Sequence, residues 1–219
     1  MAAGTADREG ALVAGTESQP PARTRRSTTE VRSRVKAAGR AAFAEHGYAA
    51  ASTKDIAARA DVAEVLIFRH FGSKAGLFEE AVLETFEQFV DDYAVRWSEH
   101  TVHSDWTERE VAKQYITMLY EFLESNRQLL VALLSAEAHH ESTAERLGGL
   151  FARLEAIVEE ATEEFGFARP RAGMTVRLTF GMVMSTVIHA DVLFPARRKP
   201  SKRVLIDELT NYVLYGIAH

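Results

Sequence analysis

The chain reads as an all-α protein in which a three-helix head joins a larger helical body. Three observations lead there. Apolar residues recur at spacings of three and four along nearly the whole chain beyond residue 27. The run from Phe43 to Phe78 is punctuated every eight to ten residues by helix stops and starts. The β-rich tetrapeptide Val65-Leu66-Ile67-Phe68 has no strand-like run nearby to pair with, so it reads as helix against its local propensity. About nine helices are expected.

A chain of 219 residues, 47% hydrophobic and 26% charged, can bury a substantial core in one or two domains. Cysteine is absent, which excludes a disulfide framework and thiolate chemistry and suits a cytoplasmic setting. No secretory leader is expected, because Ala11 to Ala14 is too short an apolar run. The longest uncharged apolar run, Leu178 to Ile188, falls short of the roughly 20 residues that cross a bilayer, so no membrane partner is expected. The net charge of −5 is unevenly spread. Residues 22–78 hold eleven Lys or Arg against five Asp or Glu, a balance of +6, while residues 79–219 hold fourteen against twenty-three, a balance of −9. A positive module on an acidic body suits a protein that meets phosphate at one end.

Residues 1–27, rich in Ala, Gly, Thr, Ser and Pro, are expected to form a disordered tail whose Arg23, Arg25 and Arg26 could follow DNA phosphate. Residues 28–76 form the head and 77–219 the body. Val31, Val35, Ala38, Ala42 and Phe43 predict a first helix ending near Gly47, which suits a left-handed cap. Ser52 and Asp55 have capping-box spacing and start a second helix that runs to about Ala60. Asp61-Val62-Ala63 is the turn, Glu64 to His70 the third helix, and Ser73 the cap of the fourth. Phe78, Val82, Phe86, Phe89, Tyr93 and Trp97 then make one apolar stripe, and Val111, Tyr115, Met118, Leu119 and Phe122 another. A short leucine helix follows at 129–134, then a longer one behind Ser142 and Glu145, and two final helices at 171–193 and 202–217 separated by Pro195 and Pro200.

A helix, a tight turn and a second short helix present a rod to the DNA major groove. On a 100° wheel, Ile67, Phe71 and Ala63 point inward, and Val65 and Arg69 point away, flanked by Leu66 and Phe68. Arg69 can read a guanine edge or hold a phosphate, and the apolar groups can meet thymine methyls. Thr53 and Lys54 at one helix start, and Lys74 at another, are placed for phosphate. Glu64 opens the recognition helix and would repel phosphate unless it accepts from a cytosine amino group.

Three motifs, Phe43-x-x-x-Gly47-Tyr48, Thr53-x-x-Ile56-Ala57-x-x-Ala60 and Phe68-Arg69-His70-Phe71-x-Ser73-Lys74, resemble those of the TetR family of bacterial transcriptional regulators. The resemblance covers roughly residues 30 to 80. It implies a homodimeric regulator, usually a repressor, whose C-terminal helices hold a small-molecule pocket and the dimer seam. Carried over by motif, His70 and Lys74 would hold phosphate, and Val65, Leu66 and Arg69 would face base pairs. Asp61 stands where the family usually has glycine, Ala63 where it often has Ser or Thr, and Leu66 where a small residue is common. Phe68 replaces the usual tyrosine and so lacks a hydroxyl that reaches phosphate.

The body's stripes nominate a largely apolar effector site. Its candidates are Phe86, Phe89, Tyr93, Trp97, Tyr115, Met118, Phe122, Met182 and His189, with flexible or aromatic walls and a few polar groups for orientation. The helix at 171–193 is apolar nearly all round, so a second subunit is its natural cover, with the helix at 202–217 beside it. Two-fold pairing would match a palindromic operator on double-stranded DNA.

No catalytic residue, cofactor or metal is expected. His139, His140 and Glu141, with His103 as a further donor, could suggest a metal, but adjacent residues point to different sides of a helix and cannot converge on one ion. Ser33-x-x-Lys36 lies on an amphipathic helix, and no hydrolase, phosphate-loop or dinucleotide motif is present. The competing reading is a helical ligand-binding or adaptor protein whose DNA-binding head has weakened.

Overall fold

The computed structural model describes residues 27–100, 106–135, 141–164, 172–195 and 199–216. The expected tail and the histidines at 103, 139 and 140 lie outside these residues. Among them the chain forms ten helices and no strand: α1 (Thr28–Ala50), α2 (Thr53–Ala60), α3 (Val65–Phe71), α4 (Lys74–His100), α5 (Glu108–Ser125), α6 (Arg127–Ser135), α7 (Glu141–Glu164), α8 (Ala172–Ile188), α9 (Ala190–Leu193) and α10 (Lys202–Tyr215).

Ser27 caps α1 by accepting the Glu30 N–H at 3.1 Å. Gly47 adopts φ 74 and ψ 170, a conformation only glycine takes freely, but the helix kinks there and makes one more turn to Ala50 instead of stopping. At α2 the expected capping box is not formed. Ser52 has the extended backbone of a cap, yet its side chain accepts no hydrogen bond; its carbonyl instead accepts the Ile56 N–H at 3.0 Å. Ser73 does cap α4, its hydroxyl accepting the Gly76 N–H at 3.0 Å. A side chain at Gly76 would place Cβ 2.2 Å from the Phe71 carbonyl, so only glycine allows this close turn from α3 into α4.

The head closes around Phe43, Ile56 and Ile67, which are fully buried. Phe78, at the start of α4, meets Phe43 edge-on at 4.9 Å and Tyr48 at 5.0 Å. Ala63 is exposed, contrary to the wheel. Helix α3 begins only at Val65, so helical angles do not extend back to Ala63, and Val62 packs inward in its place.

The long α4 carries the six-residue stripe from Phe78 to Trp97, every member buried. It passes from the head into the body and packs on α1 and α7, while α1 also lies against α6. Helices α5, α8 and α10 complete the body, with Lys113 paired to Asp207 at 2.6 Å and Arg109 donating to Asn211 at 2.6 Å. A full capping box starts α5: Thr107 and Glu110 each bond the other's backbone N–H. Ser142 falls inside the first turn of α7 rather than at its cap.

The single helix expected at 171–193 is two, which raises the count to ten. Arg127 explains the break. Its guanidinium donates to the carbonyls of Val187 and Ile188 at 3.2 and 3.0 Å, satisfying the end of α8. His189 then leaves helical geometry at φ −99 and ψ 21, and α9 runs only to Leu193 before Pro195.

Candidate nucleic-acid interface and effector cavity

The turn before the recognition helix depends on Asp61, whose φ of 52 and ψ of 53 are left-handed. Its N–H reaches the Ala58 carbonyl at 3.1 Å and the Val62 N–H reaches Ala57 at 3.0 Å, which closes α2 and swings the chain outward. Ile67 and Phe71 seat α3 on the core, so the opposite face looks into solvent. Val65 is 69% and Phe68 47% exposed, and Arg69 beside them has no ion-pair or hydrogen-bond partner among the described residues. Leu66 is half-buried and packs on the core, leaving only part of its side chain available. Lys54 is exposed at the start of α2.

Three candidates, Thr53, Glu64 and Lys74, have side chains tied up internally, and His70 is engaged through its backbone carbonyl. The Thr53 hydroxyl donates to the Glu64 carboxylate at 2.6 Å, which bridges the starts of α2 and α3. The Lys74 ammonium donates to the Ala49 carbonyl at 3.1 Å and lies 4.8 Å from the Tyr48 ring, and burial draws its pKa down. His70 is half-buried against Phe71, and its carbonyl accepts from Arg32 at 2.6 Å.

Arg32 escaped notice in the sequence. It also pairs with Glu80 at 2.5 Å and sits 4.8 Å from the Phe71 ring, so it binds α1, α3 and α4 together. Lys36 and Arg40 both pair with Glu84. The positive balance of the head is thus partly neutralised by the next helix, and the outward charge is concentrated at Lys54 and Arg69. An i, i+4 row of cations on α1 facing Glu80 and Glu84 was the available signal.

In the body, α4, α6, α7 and α8 line a partly open apolar cavity of about 200 Å³. Its walls include Phe86, Phe89, Leu130, Leu133, Phe151 and Phe180, and every lining side chain is apolar. Of the nine residues nominated for an effector, only Phe86 and Phe89 line it. Met118 and Phe122 line a separate polar groove between α4 and α5, and Met182 packs partly buried on the core. Tyr93 and Trp97 are buried farther along α4, beside Tyr115, whose ring meets Tyr93 at 5.4 Å. His189 is exposed at the α8–α9 break, so it faces away from the cavity's walls. Burial raises the pKa of both Tyr93 and Tyr115, so both hydroxyls stay protonated. The Tyr115 hydroxyl is buried without a hydrogen-bond partner.

Residues 36–81 match the sequence profile described as bacterial regulatory proteins of the tetR family. This stretch, about a fifth of the chain, thus carries the DNA-binding module of the tetR family of bacterial regulatory proteins. No curated protein sequence matches it significantly. Among solved structures it is similar to the fatty acid degradation regulator FadR from Bacillus halodurans, at 21% identity and a TM-score of 0.65 over 84% of this chain and 98% of that one. The transcriptional regulator FadR from Bacillus subtilis, solved in complex with stearoyl-CoA, matches at 20% identity and a TM-score of 0.63 over 84% and 98%. The TetR-family regulator PfmR from Thermus thermophilus matches at 19% and 0.55 over 86% and 97%. At such identities the likeness to these structures speaks for the fold alone.

Within this TetR-family head, Asp61 takes the backbone conformation that the family's glycine serves, at the strain a side chain adds in that region. The body exposes a second apolar surface: Leu178 is 67% and Val192 79% exposed, with Met174, Leu193 and Tyr212 also open. These residues lie on α8, α9 and α10. No helix among the described residues is long and apolar enough to cross a membrane.

Proposed function

We propose that this TetR-family transcriptional regulator is a repressor, a non-catalytic homodimer that binds a palindromic operator and is released by a small, largely apolar effector. The observation that carries the reading is the outward face of α3, where an unpaired Arg69 stands between the exposed Val65 and Phe68. A guanidinium flanked by apolar groups on a groove-sized rod matches base edges and thymine methyls. Lys54 supplies phosphate contact from the start of α2, and Thr53, His70 and Lys74 join it on DNA once their internal partners are exchanged.

Dimerisation through α8, α9 and α10 covers Leu178 and Val192, which a lone subunit leaves in water. The effector enters the cavity behind Phe86 and Phe89, whose wholly apolar wall favours an alkyl or aryl group. The stearoyl-CoA bound by the Bacillus subtilis FadR makes an acyl chain a reasonable example. Because α6 lines the cavity and packs on α1, an occupant that shifts α6 moves the head and changes the spacing of the two recognition helices.

Retardation of the upstream DNA at several salt concentrations tests the reading. Specific binding in the nanomolar range is expected, with a log–log salt slope of about −0.9 for each phosphate neutralised. A second reading, a sensor with a weakened head, draws support from the Thr53–Glu64 bond and from Phe68, which has no hydroxyl. Weak binding indifferent to sequence would favour it.

A further inference from the structure

Phe89 belongs to two spaces at once. On one side its ring walls the apolar cavity of about 200 Å³, and on the other it walls the polar groove of about 440 Å³ between α4 and α5. The groove also presents Gln88, Asp92, Arg96, Ser125 and Asn126. Phe89 is the residue common to both linings. Phe89 stacks on Phe122 at 4.4 Å, and Phe86 meets Phe122 edge-on at 5.3 Å. Phe89 is buried, whereas Phe122 is half-buried and lines the groove.

The cavity alone is small. It is comparable to the engineered cavity of roughly 150 Å³ in another protein that takes benzene or xenon, and it lies below the range of about 300–1,000 Å³ usual for ligand pockets. Joined to the groove, it falls inside that range. We propose that Phe89 is a movable partition and that the effector is an amphiphile, with its apolar tail in the cavity and an uncharged polar head in the α4–α5 groove. This rests on the effector reading above and narrows it. A rotamer change at Phe89, with Phe122 following, opens the passage.

The groove's chemistry decides the head. Gln88 is exposed and has no hydrogen-bond partner among the described residues, and Asn126 uses its amide N–H₂ on the Phe122 carbonyl, leaving its oxygen as acceptor. The lining holds two carboxylates, Asp92 and Glu121, against one guanidinium, Arg96, a formal balance of −1. Glu121 is partly satisfied by Lys202 at 3.1 Å, but Asp92 has no partner among the described residues. An alcohol or ester head finds donors and acceptors here, and an anionic head meets an unpaired carboxylate.

The full-length protein is titrated calorimetrically with toluene, 1-dodecanol and dodecanoate. Toluene reports the cavity alone, and dodecanol is expected to bind at least ten-fold more tightly than dodecanoate. Gln88→Leu should weaken dodecanol about five-fold, the effect of one ordinary hydrogen bond, and leave toluene unchanged. Asp92→Asn, at an exposed site that tolerates the change, should strengthen dodecanoate several-fold and leave dodecanol unchanged. Dodecanol binding that ignores Gln88→Leu, or dodecanoate binding that ignores Asp92→Asn, overturns the partition while leaving the apolar effector standing. Failure of toluene and dodecanol alike to bind overturns both.

Discussion

The head packs Phe43, Ile56 and Ile67 out of reach of solvent, whereas the body's helices line a hole of about 200 Å³. Both are helical, and both leave apolar groups on the outside. The head exposes Val65 and Phe68 on a helix of seven residues, too short for its own stability and held by Ile67, Phe71 and the Arg32 bridge. The body exposes Leu178 and Val192, the face assigned above to the proposed dimer seam. The difference suits the two tasks. A reading head must hold its side chains in one geometry, and a sensing body must be able to change its packing when something fills it.

The contrast breaks most severely at the body's outer face. Leu178→Glu should turn the dimer into monomers, because the substitution buries an uncompensated charge twice across a two-fold seam, at about 3–5 kcal/mol each. Sedimentation at micromolar concentration would show it, and DNA retardation should vanish with the dimer. A dimer that persists unchanged would place the seam elsewhere. In the head, Phe43→Ala should cost about 3–5 kcal/mol through lost burial and the cavity left behind. Chemical denaturation followed by circular dichroism reads the loss. A cost below about 1 kcal/mol would mean the head's core is as slack as the body's.

Arg69→Ala sharpens the comparison without unfolding anything, since the side chain is exposed. It should weaken operator binding by about 1–3 kcal/mol and relax preference at one base pair per half-site. Lys54→Ala should instead weaken all sequences alike and reduce the salt slope by about 1 per subunit. Identical behaviour of the two variants would show that Arg69 holds phosphate rather than a base.

The head was legible because its signals are local. The ends of α2, the turn at Asp61-Val62-Ala63, the Ser73 cap and the inward set of Ile67 and Phe71 all follow from residues within one or two helical turns. Where local reasoning overreached, at Ser52 and Ala63, a neighbour or a helix boundary altered one contact and not the fold. The buried stripe of α4 was equally readable, but which of its members line a cavity was not. Phe89 lines it and Tyr93, four residues on, does not, because the walls are completed by Leu130, Leu133 and Phe180 from helices far away in sequence. The break at His189 has the same origin, since it is set by Arg127 on another helix. The Thr107 and Glu110 pair, by contrast, had the spacing of a capping box and could have been found.

Phe68→Tyr tests whether the head has lost grip. The ring is 47% exposed, so a hydroxyl adds no burial cost, and a new phosphate hydrogen bond is worth about 1 kcal/mol. Operator affinity should rise about five-fold per half-site at fixed salt. No gain would mean that the ring's edge faces away from the backbone of the DNA.

The smallest effect belongs to the body's buried polar group. The Tyr115 hydroxyl is enclosed beside Tyr93 and meets no partner, so the folded state carries a desolvation cost that the unfolded chain does not. Tyr115→Phe removes that oxygen and keeps the ring's edge-on contact. Stability should stay level or rise by up to about 1 kcal/mol, read as a higher denaturation midpoint with an unchanged slope. A loss of about 1 kcal/mol would instead reveal a water held between Tyr115 and its neighbours, and with it a polar pocket inside a region otherwise packed with aromatic rings. The sign of this one substitution therefore separates a dry core from a wet one at the far end of α4, where the body's packing departs most from the closed core of the head.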